Sequence, residues 1–344
     1  MGALLFRGDA SSSVGMGHYR RLGILARQFE GEKILILRTD DLKLESEAGV
    51  IFDNVITLPI DCTFEQEIFL ISALRIKANV SVIDISNSIT YSQINSFQKL
   101  VDFYHQMGNA AVIDGLGADS VLSKVTNLEC DYYITPYVGA PKLRGKFQHL
   151  NSEKFFVLDP SYNEVEYEMR KVAKNVLLTM GGSDPNDMTL KIVKQLLHKN
   201  CKAHIKVVVG PLFTNDQFKS LTKELQGQSN WSIINNPSDI KQEYLWADVV
   251  VSASGLSKYE LASLGIPMVL VSRNQTMHDI NQSFTQKAEC LDLGPIDNLT
   301  TDMWIDDVER LLLNYDQRAS QSKVLKNLID GLGAERILKC LIQN

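Results

Sequence analysis

The chain has 344 residues, more than one compact core usually holds, so two domains are expected. Its 44% hydrophobic and 22% charged residues are the composition of a globular protein, and a net charge of −6 speaks against a general nucleic-acid binder, which carries a basic face. No apolar run approaches the roughly 20 residues that span a bilayer, no leader-like segment opens the chain, and Cys62, Cys130, Cys201, Cys290 and Cys340 are scattered without a CxxC pair. These features predict a cytoplasmic protein with no integral membrane segment, no disulfide framework and no structural zinc.

In chain order, residues 4–7 read as a short apolar strand, 8–18 as a loop of small residues and 19–26 as the opening of a helix. Strand, glycine turn and helix N-terminus together form an anion site, because free backbone amides and the positive end of the helix dipole point at the ligand. Gly15 and Gly17 punctuate this loop and His18 stands at its mouth. A phosphate cradle with a titratable imidazole points to chemistry on a phosphate-linked substrate. Arg7 and Asp9 are close enough in sequence to orient the loop, and Asp9 reads equally well as a turn-forming residue.

Strands over 33–37, 80–84 and 110–114 look buried and parallel. Asp84 and Asp114 end two of them, and ligands in open α/β sheets bind outside the carboxyl ends of strands. A further strand is expected over 132–135. Lys142, Arg144 and Lys146 read as a solvated basic loop. Pro160 and a charged amphipathic stretch break the rhythm over 159–174, which is expected to join the domains.

The alternation restarts with a strand over 175–180, the turn Gly181-Gly182-Ser183-Asp184-Pro185 and a helix over 186–197. Strands are expected over 205–209, 231–234, 249–252 and 268–271, and helix from about 302 to 342. The fold class is α/β: two Rossmann-like domains facing across a cleft, residues 1–160 and 175–344, with a linker over 161–174.

Two glycine turns in the second half are candidate nucleotide sites. Gly181 and Gly182 lie between a strand and a helix, where a tight structural connection is an equal alternative. In the run Ser254-Gly255-Leu256-Ser257, hydroxyls and a glycine open a helix, and Glu260 follows within one turn. Backbone amides and Ser257 suit a diphosphate and Glu260 suits a ribose; the alternative is a helix start with a carboxylate near its positive end. Asn274 and Gln275 carry amides suited to a sugar or phosphate edge. His278 reads as a surface histidine, and His105, His149, His198 and His204 stand outside any motif. No cluster has metal-ligand spacing, and no cofactor is expected.

The segments FRGDASSSVGMGHYRRLGILA, LLTMGGSDPNDMTLKIVKQL and SASGLSKYELASLGIPMVLVSRNQ, in this order, resemble the bacterial UDP-sugar hydrolases of pseudaminic acid biosynthesis. Related sequences are grouped as spore-coat polysaccharide proteins, and the wider relatives are two-domain GT-B glycosyltransferases. The resemblance covers most of the chain and is poor from about 40 to 170. It implies hydrolysis of a UDP-linked 2,4-diacetamido-2,4,6-trideoxy sugar by water, with inversion at the anomeric carbon. The free sugar would then condense with phosphoenolpyruvate through a downstream sugar-acid synthase.

By the same resemblance His18 is the catalytic group. Gly255, Ser257 and Glu260 match the part that holds UDP, and Asn274 and Gln275 match a stretch facing the sugar or diphosphate. Substrate contacts are expected from Arg7, Asp9, Gly15, Gly17, Asp84, Asn274 and Gln275, and nucleotide contacts from Gly181, Gly182, Ser254, Gly255, Leu256, Ser257 and Glu260. The chain departs from the family where an Asp-His-Tyr run becomes Asp84-Ile85-Ser86-Asn87, and an Asp-Asp run becomes Asp114-Gly115. Ser254-Gly255 replaces a doubled glycine, and Ser257 a threonine. These departures leave open a glycosyltransferase with a carbohydrate or lipid-linked acceptor. A non-catalytic nucleotide-sugar binder is a third reading, and the presence of His18 speaks against it.

Overall fold

The computed structural model describes every residue except 1, 12–13, 42, 87–89, 91, 117–119, 126–127, 185 and 344. Ser12, Ser13, Asn87 and Pro185, which belong to the loops and runs named above, lie outside the described residues. The chain divides into two compact units, Met1–Asp159 with Gly331–Asn344, and Pro160–Asp330.

Unit 1 is built on a parallel sheet of β1 (Ala3–Ala10), β2 (Glu32–Thr39), β3 (Asn54–Pro59), β4 (Val80–Asp84), β5 (Asn109–Ile113), β6 (Glu129–Thr135) and β7 (Lys146–Asn151), in the order β3-β2-β1-β4-β5-β6-β7. Side chains alternate across a strand. In β1, Leu4 and Phe6 therefore join a core with Leu22 and Leu25 of the Gly17–Arg27 helix, while Leu5 joins a second core with Phe64, Phe97 and Tyr104. Arg7 and Asp9 share Leu5's parity and face the Phe64–Ser72 and Ile94–His105 helices. The sheet's growth reverses between β1 and β4, and the carboxyl ends of those strands mark the switch point where an open α/β sheet leaves a crevice.

Unit 2 repeats the plan with β8 (Asn175–Thr179), β9 (His204–Val209), β10 (Trp231–Asn235), β11 (Val249–Ala253), β12 (Met268–Ser272) and β13 (Leu291–Pro295), ordered β10-β9-β8-β11-β12-β13. Its switch point lies between β8 and β11.

Two expected boundaries change. The helix Gly333–Ile342 returns to unit 1: Ala334, Ile337, Leu338 and Leu341 form one apolar stripe in the core with Leu4 and Phe6. Gly333 lies so close to the Phe156 carbonyl that a Cβ would stand 2.1 Å from it. The segment expected as a linker instead packs within unit 2, where Asp248 accepts from the amides of Lys174 (2.8 Å) and Asn175 (2.9 Å) and from Arg170 (3.0 Å). Buried Arg318 donates to the Arg170 carbonyl at 3.0 Å.

Candidate functional site

In unit 1 the turn after β1 delivers His18 to the carboxyl end of β4. His18 Nδ1 lies 2.7 Å from Asp84 Oδ1, and the imidazole is 22% exposed above a buried carboxylate. Arg21, one turn along the same helix, donates Nε to Asp84 Oδ2 at 2.6 Å and Nη2 to Oδ1 at 2.8 Å. Its Nη1 donates to the Tyr137 hydroxyl at 2.7 Å. Burial alone would push the Asp84 carboxyl up, but Arg21 and His18 outweigh it and hold it at about 2. Asp84 is therefore an anion at any physiological pH and only an acceptor, so the ring donates from Nδ1 and keeps Nε2 as its basic nitrogen.

Sequence reasoning named His18 and Asp84, which the structure brings together, and passed over two partners. Arg21 stands three residues after His18, a spacing that puts both on one helix face, and that signal was present. Tyr137 arrives from beyond β6, 116 residues away from Arg21, and no sequence spacing announces it.

The remaining unit 1 candidates divide. Gly15, at φ +81°, closes the loop by donating to the Ser11 carbonyl at 2.8 Å. The Met16 side chain does not cap the helix that Gly17 opens, and a Cβ on Gly17 would meet nothing within 4 Å. Arg7 and Asp9 are not surface groups. Arg7 is fully buried, paired bidentately with Glu67 (2.5 and 2.7 Å) and with Asp9 (2.8 Å). Asp9 also accepts from Arg38 Nε at 2.9 Å and from the Ser86 amide at 3.1 Å. Burial would raise the Asp9 carboxyl, but Arg7 and Arg38 hold it below its ordinary value. Substrate contact by Arg7 and Asp9 is corrected to support from behind: the network grips the backbone two residues beyond Asp84. Asp114 is likewise internal, accepting from Ser120 Oγ and the amides of Gly115 and Val121, each at 2.7 Å.

In unit 2 the two glycine turns differ. Gly181, at φ +83°, makes a backbone junction; a Cβ on Gly210 would stand 2.4 Å from the Gly181 carbonyl. Buried Asp184 accepts from the amides of Met188 (2.8 Å) and Thr189 (2.7 Å), so a carboxylate already occupies the N-terminus of the Met188–His198 helix. Gly181 and Gly182 thus stand before a helix start whose amides Asp184 already answers.

Among the described residues no such carboxylate accepts from the turn after β11. Leu256, 46% exposed, precedes the Ser257–Leu264 helix and does not cap it, and a Cβ on Gly255 would meet nothing within 4 Å. Ser254 is buried and bonds through Oγ to Ser272 Oγ at 2.9 Å. Tyr244 donates to Glu260 Oε2 at 3.0 Å and also bonds Ser257; burial, then Glu260, pushes its phenol well above the ordinary value. Lys258 lies beneath the turn and donates to the Ser254 carbonyl at 2.9 Å.

Asn274 caps the Gln275–Ala288 helix by accepting from the Met277 amide at 2.9 Å, and Gln275 donates to Asp279 at 2.7 Å; both are exposed. His278 is half-buried: its ring, 21% exposed, has Nδ1 3.3 Å from Asp292.

Two doubly wound parallel units, each with an open strand–turn–helix junction at its switch point, define the GT-B class of fold. Acinetobacter baumannii MurG matches 99% of this chain and 100% of its own at a TM-score of 0.66 and 9% identity. Anabaena HepE in complex with UDP-glucose matches 100% of both chains at 0.63 and 12% identity. At these identities the likeness speaks for the fold alone.

In sequence, the chain is 24% identical over 353 residues to the spore coat polysaccharide biosynthesis protein SpsG of Bacillus subtilis, covering 97% of this chain and 96% of that protein. It is 26% identical over 306 residues to an uncharacterised protein of Methanocaldococcus jannaschii, covering 84% of this chain and 59% of that longer protein. No protein-family model matches. The likeness to the spore-coat polysaccharide group thus runs along the whole chain. Among the described residues no helix is long and apolar enough to cross a membrane.

Proposed function

We propose that the chain is an enzyme of surface-polysaccharide biosynthesis that acts on a nucleotide sugar. Within that class we read it as a hydrolase that cleaves a UDP-linked diacetamido-trideoxyhexose to UDP and free sugar. The class rests on the full-length likeness to the spore-coat protein and the GT-B fold. The hydrolase reading is carried by one observation: an ionised, buried Asp84 holds His18 at Nδ1, leaving Nε2 to take a proton.

In this reading water attacks the anomeric carbon, His18 Nε2 accepts its proton, and the bond from that carbon to the diphosphate oxygen breaks with its electron pair on UDP. A single displacement inverts the configuration. General-base assistance of this kind contributes about 10²–10⁴-fold. Arg21 neutralises Asp84 and keeps it aimed at the ring. The open amides after β11 stabilise the diphosphate as negative charge develops on it. Glu260 suits a ribose, and Asn274 and Gln275 are offered to the sugar or diphosphate. The free sugar is a suitable substrate for a phosphoenolpyruvate-using sugar-acid synthase.

A glycosyltransferase is the second reading, favoured by the altered run Asp84-Ile85-Ser86 and by the transferases that share the fold. The deciding experiment follows UDP release from a panel of UDP-diacetamido-trideoxyhexoses with no acceptor present, with NMR identification of the first anomer. Acceptor-free release with inversion, lost in His18→Ala, supports the hydrolase. UDP binding without release across the panel overturns it in favour of a transferase.

A further inference from the structure

Lys258 is 6% exposed, and among the described residues its amine has two hydrogen-bond acceptors, the Ser254 carbonyl at 2.9 Å and Asn281 Oδ1. A neutral amine has two N–H groups and is satisfied by them; an ammonium has three. The rings of Tyr259 and Phe284 lie 5.1 and 5.2 Å away and favour the cation modestly. The titratable group that acts on the amine is the Cys290 thiol, itself raised by burial and by Asp292 and Glu289. From the helix above, Glu260 is engaged by Tyr244, and His278 of the neighbouring helix lies against Asp292. Among the described residues no carboxylate pairs with Lys258. A buried cation without a counter-charge is costly.

We infer that Lys258 is the charge-matching residue of the turn after β11: among the described residues no carboxylate answers its amine, and it takes up a proton when a diphosphate binds at the amides of Gly255–Ser257. This rests on the reading of that turn as the diphosphate site. The amine reaches the site through the Ser254 carbonyl, the first residue of the turn. The ligand supplies the negative charge that the protein omits, so the site favours diphosphate esters over neutral nucleosides.

Burial, opposed only in part by the Cys290 thiol, lowers the Lys258 ammonium to about 7 in the empty protein. Anion binding raises it. Affinity is therefore full below about pH 7 and falls by up to tenfold per pH unit above it, until the pH passes the raised value of the bound form.

The experiment is calorimetric titration of the full chain with UDP-glucose, whose diphosphate diester does not titrate near neutrality, at pH 8 in HEPES and in Tris. The expected result is uptake of close to one proton by the wild type and of almost none by Lys258→Met, which binds about tenfold or more weakly. In the wild type alone, one lysine side-chain NMR resonance should titrate near pH 7 and should stop doing so in that range under saturating UDP-glucose. UDP-glucose binding with no proton uptake, or uptake that persists in Lys258→Met, overturns the role of Lys258 and leaves the diphosphate site standing. Failure of both UDP and UDP-glucose to bind overturns the site itself, and the inference with it.

Discussion

In unit 2 two strand–glycine–helix turns lie side by side at the switch point, after β8 and after β11, and their contents are opposite. The first has the doubled glycine that draws attention in a sequence. Yet Asp184 already accepts from the amides that start its helix, and it is Gly210 whose missing side chain lets the backbone pass close to the Gly181 and Gly182 carbonyls. The second has one glycine and serines, a leucine that does not cap its helix, open space above Gly255 and a buried lysine beneath. Glycine permits a turn, but an anion site is defined by which first-turn amides the protein leaves unanswered and whether negative charge is already present. The turn after β1 differs from both, because it sets an imidazole against the buried carboxylate of Asp84.

The largest effect tests that imidazole. His18→Ala should lower turnover about 10²–10⁴-fold while UDP affinity stays within about twofold, measured by UDP release and by calorimetry. Turnover close to wild type would remove His18 from the chemistry and leave the β1 turn as a binding turn like the one after β11.

Arg7 and Asp9 sharpen the comparison from the other side, because they sit next to an open turn without belonging to it. Glu67→Ala leaves the buried guanidiniums of Arg7 and Arg38 sharing the single charge of Asp9, and breaking a buried pair in this way costs about 3–5 kcal/mol. Thermal and denaturant unfolding should record that loss. The same loss of binding energy for UDP with unchanged stability would instead return Arg7 to the ligand.

The sequence was legible where burial was two-sided. The central strands β1, β4, β5, β8 and β11 carry continuous apolar runs that mark them directly. The strands that escaped notice, β3, β7 and β13, are all sheet edges. Asn54–Pro59 is half-exposed and ends in proline, Lys146–Asn151 alternates polar residues, and Leu291–Pro295 holds Gly294 and Pro295, so none shows a buried pattern. The site divides in the same way. His18, Gly255 and Glu260 stand in local motifs, and Arg21 is one helical turn from His18. Tyr137 reaches Arg21, and Glu67 reaches Arg7, only through the strand order. Asp184 was visible four residues before Met188, but its role as a cap depends on a backbone path that the letters alone do not give.

A smaller effect follows from that cap. Asp184→Ala removes the acceptor of two helix amides and should cost about 1–2 kcal/mol of unit 2 stability. UDP affinity should rise or stay level, since a negative charge leaves the switch point. A clear fall in affinity would show that the β8 turn is also part of the nucleotide site, and the contrast drawn between the turns would collapse.

The smallest effect separates the two glycines themselves. Gly181 is at φ +83°, where an added Cβ is strained whatever the space around it, so Gly181→Ala should lose about 1 kcal/mol of stability with no change in UDP affinity. Gly255 has no positive φ and no atom within 4 Å of an added Cβ, so Gly255→Ala should leave the unfolding midpoint unchanged. Its methyl group would instead enter the space in which a diphosphate meets the helix amides, and UDP affinity should fall several-fold, about 1 kcal/mol. Both measurements are made on the same pair of variants, so the outcome is a crossing: stability falls in one and affinity in the other. If both variants lose stability and neither loses affinity, the turn after β11 is structural as well, and the diphosphate must be sought at the helix that begins at Gly17.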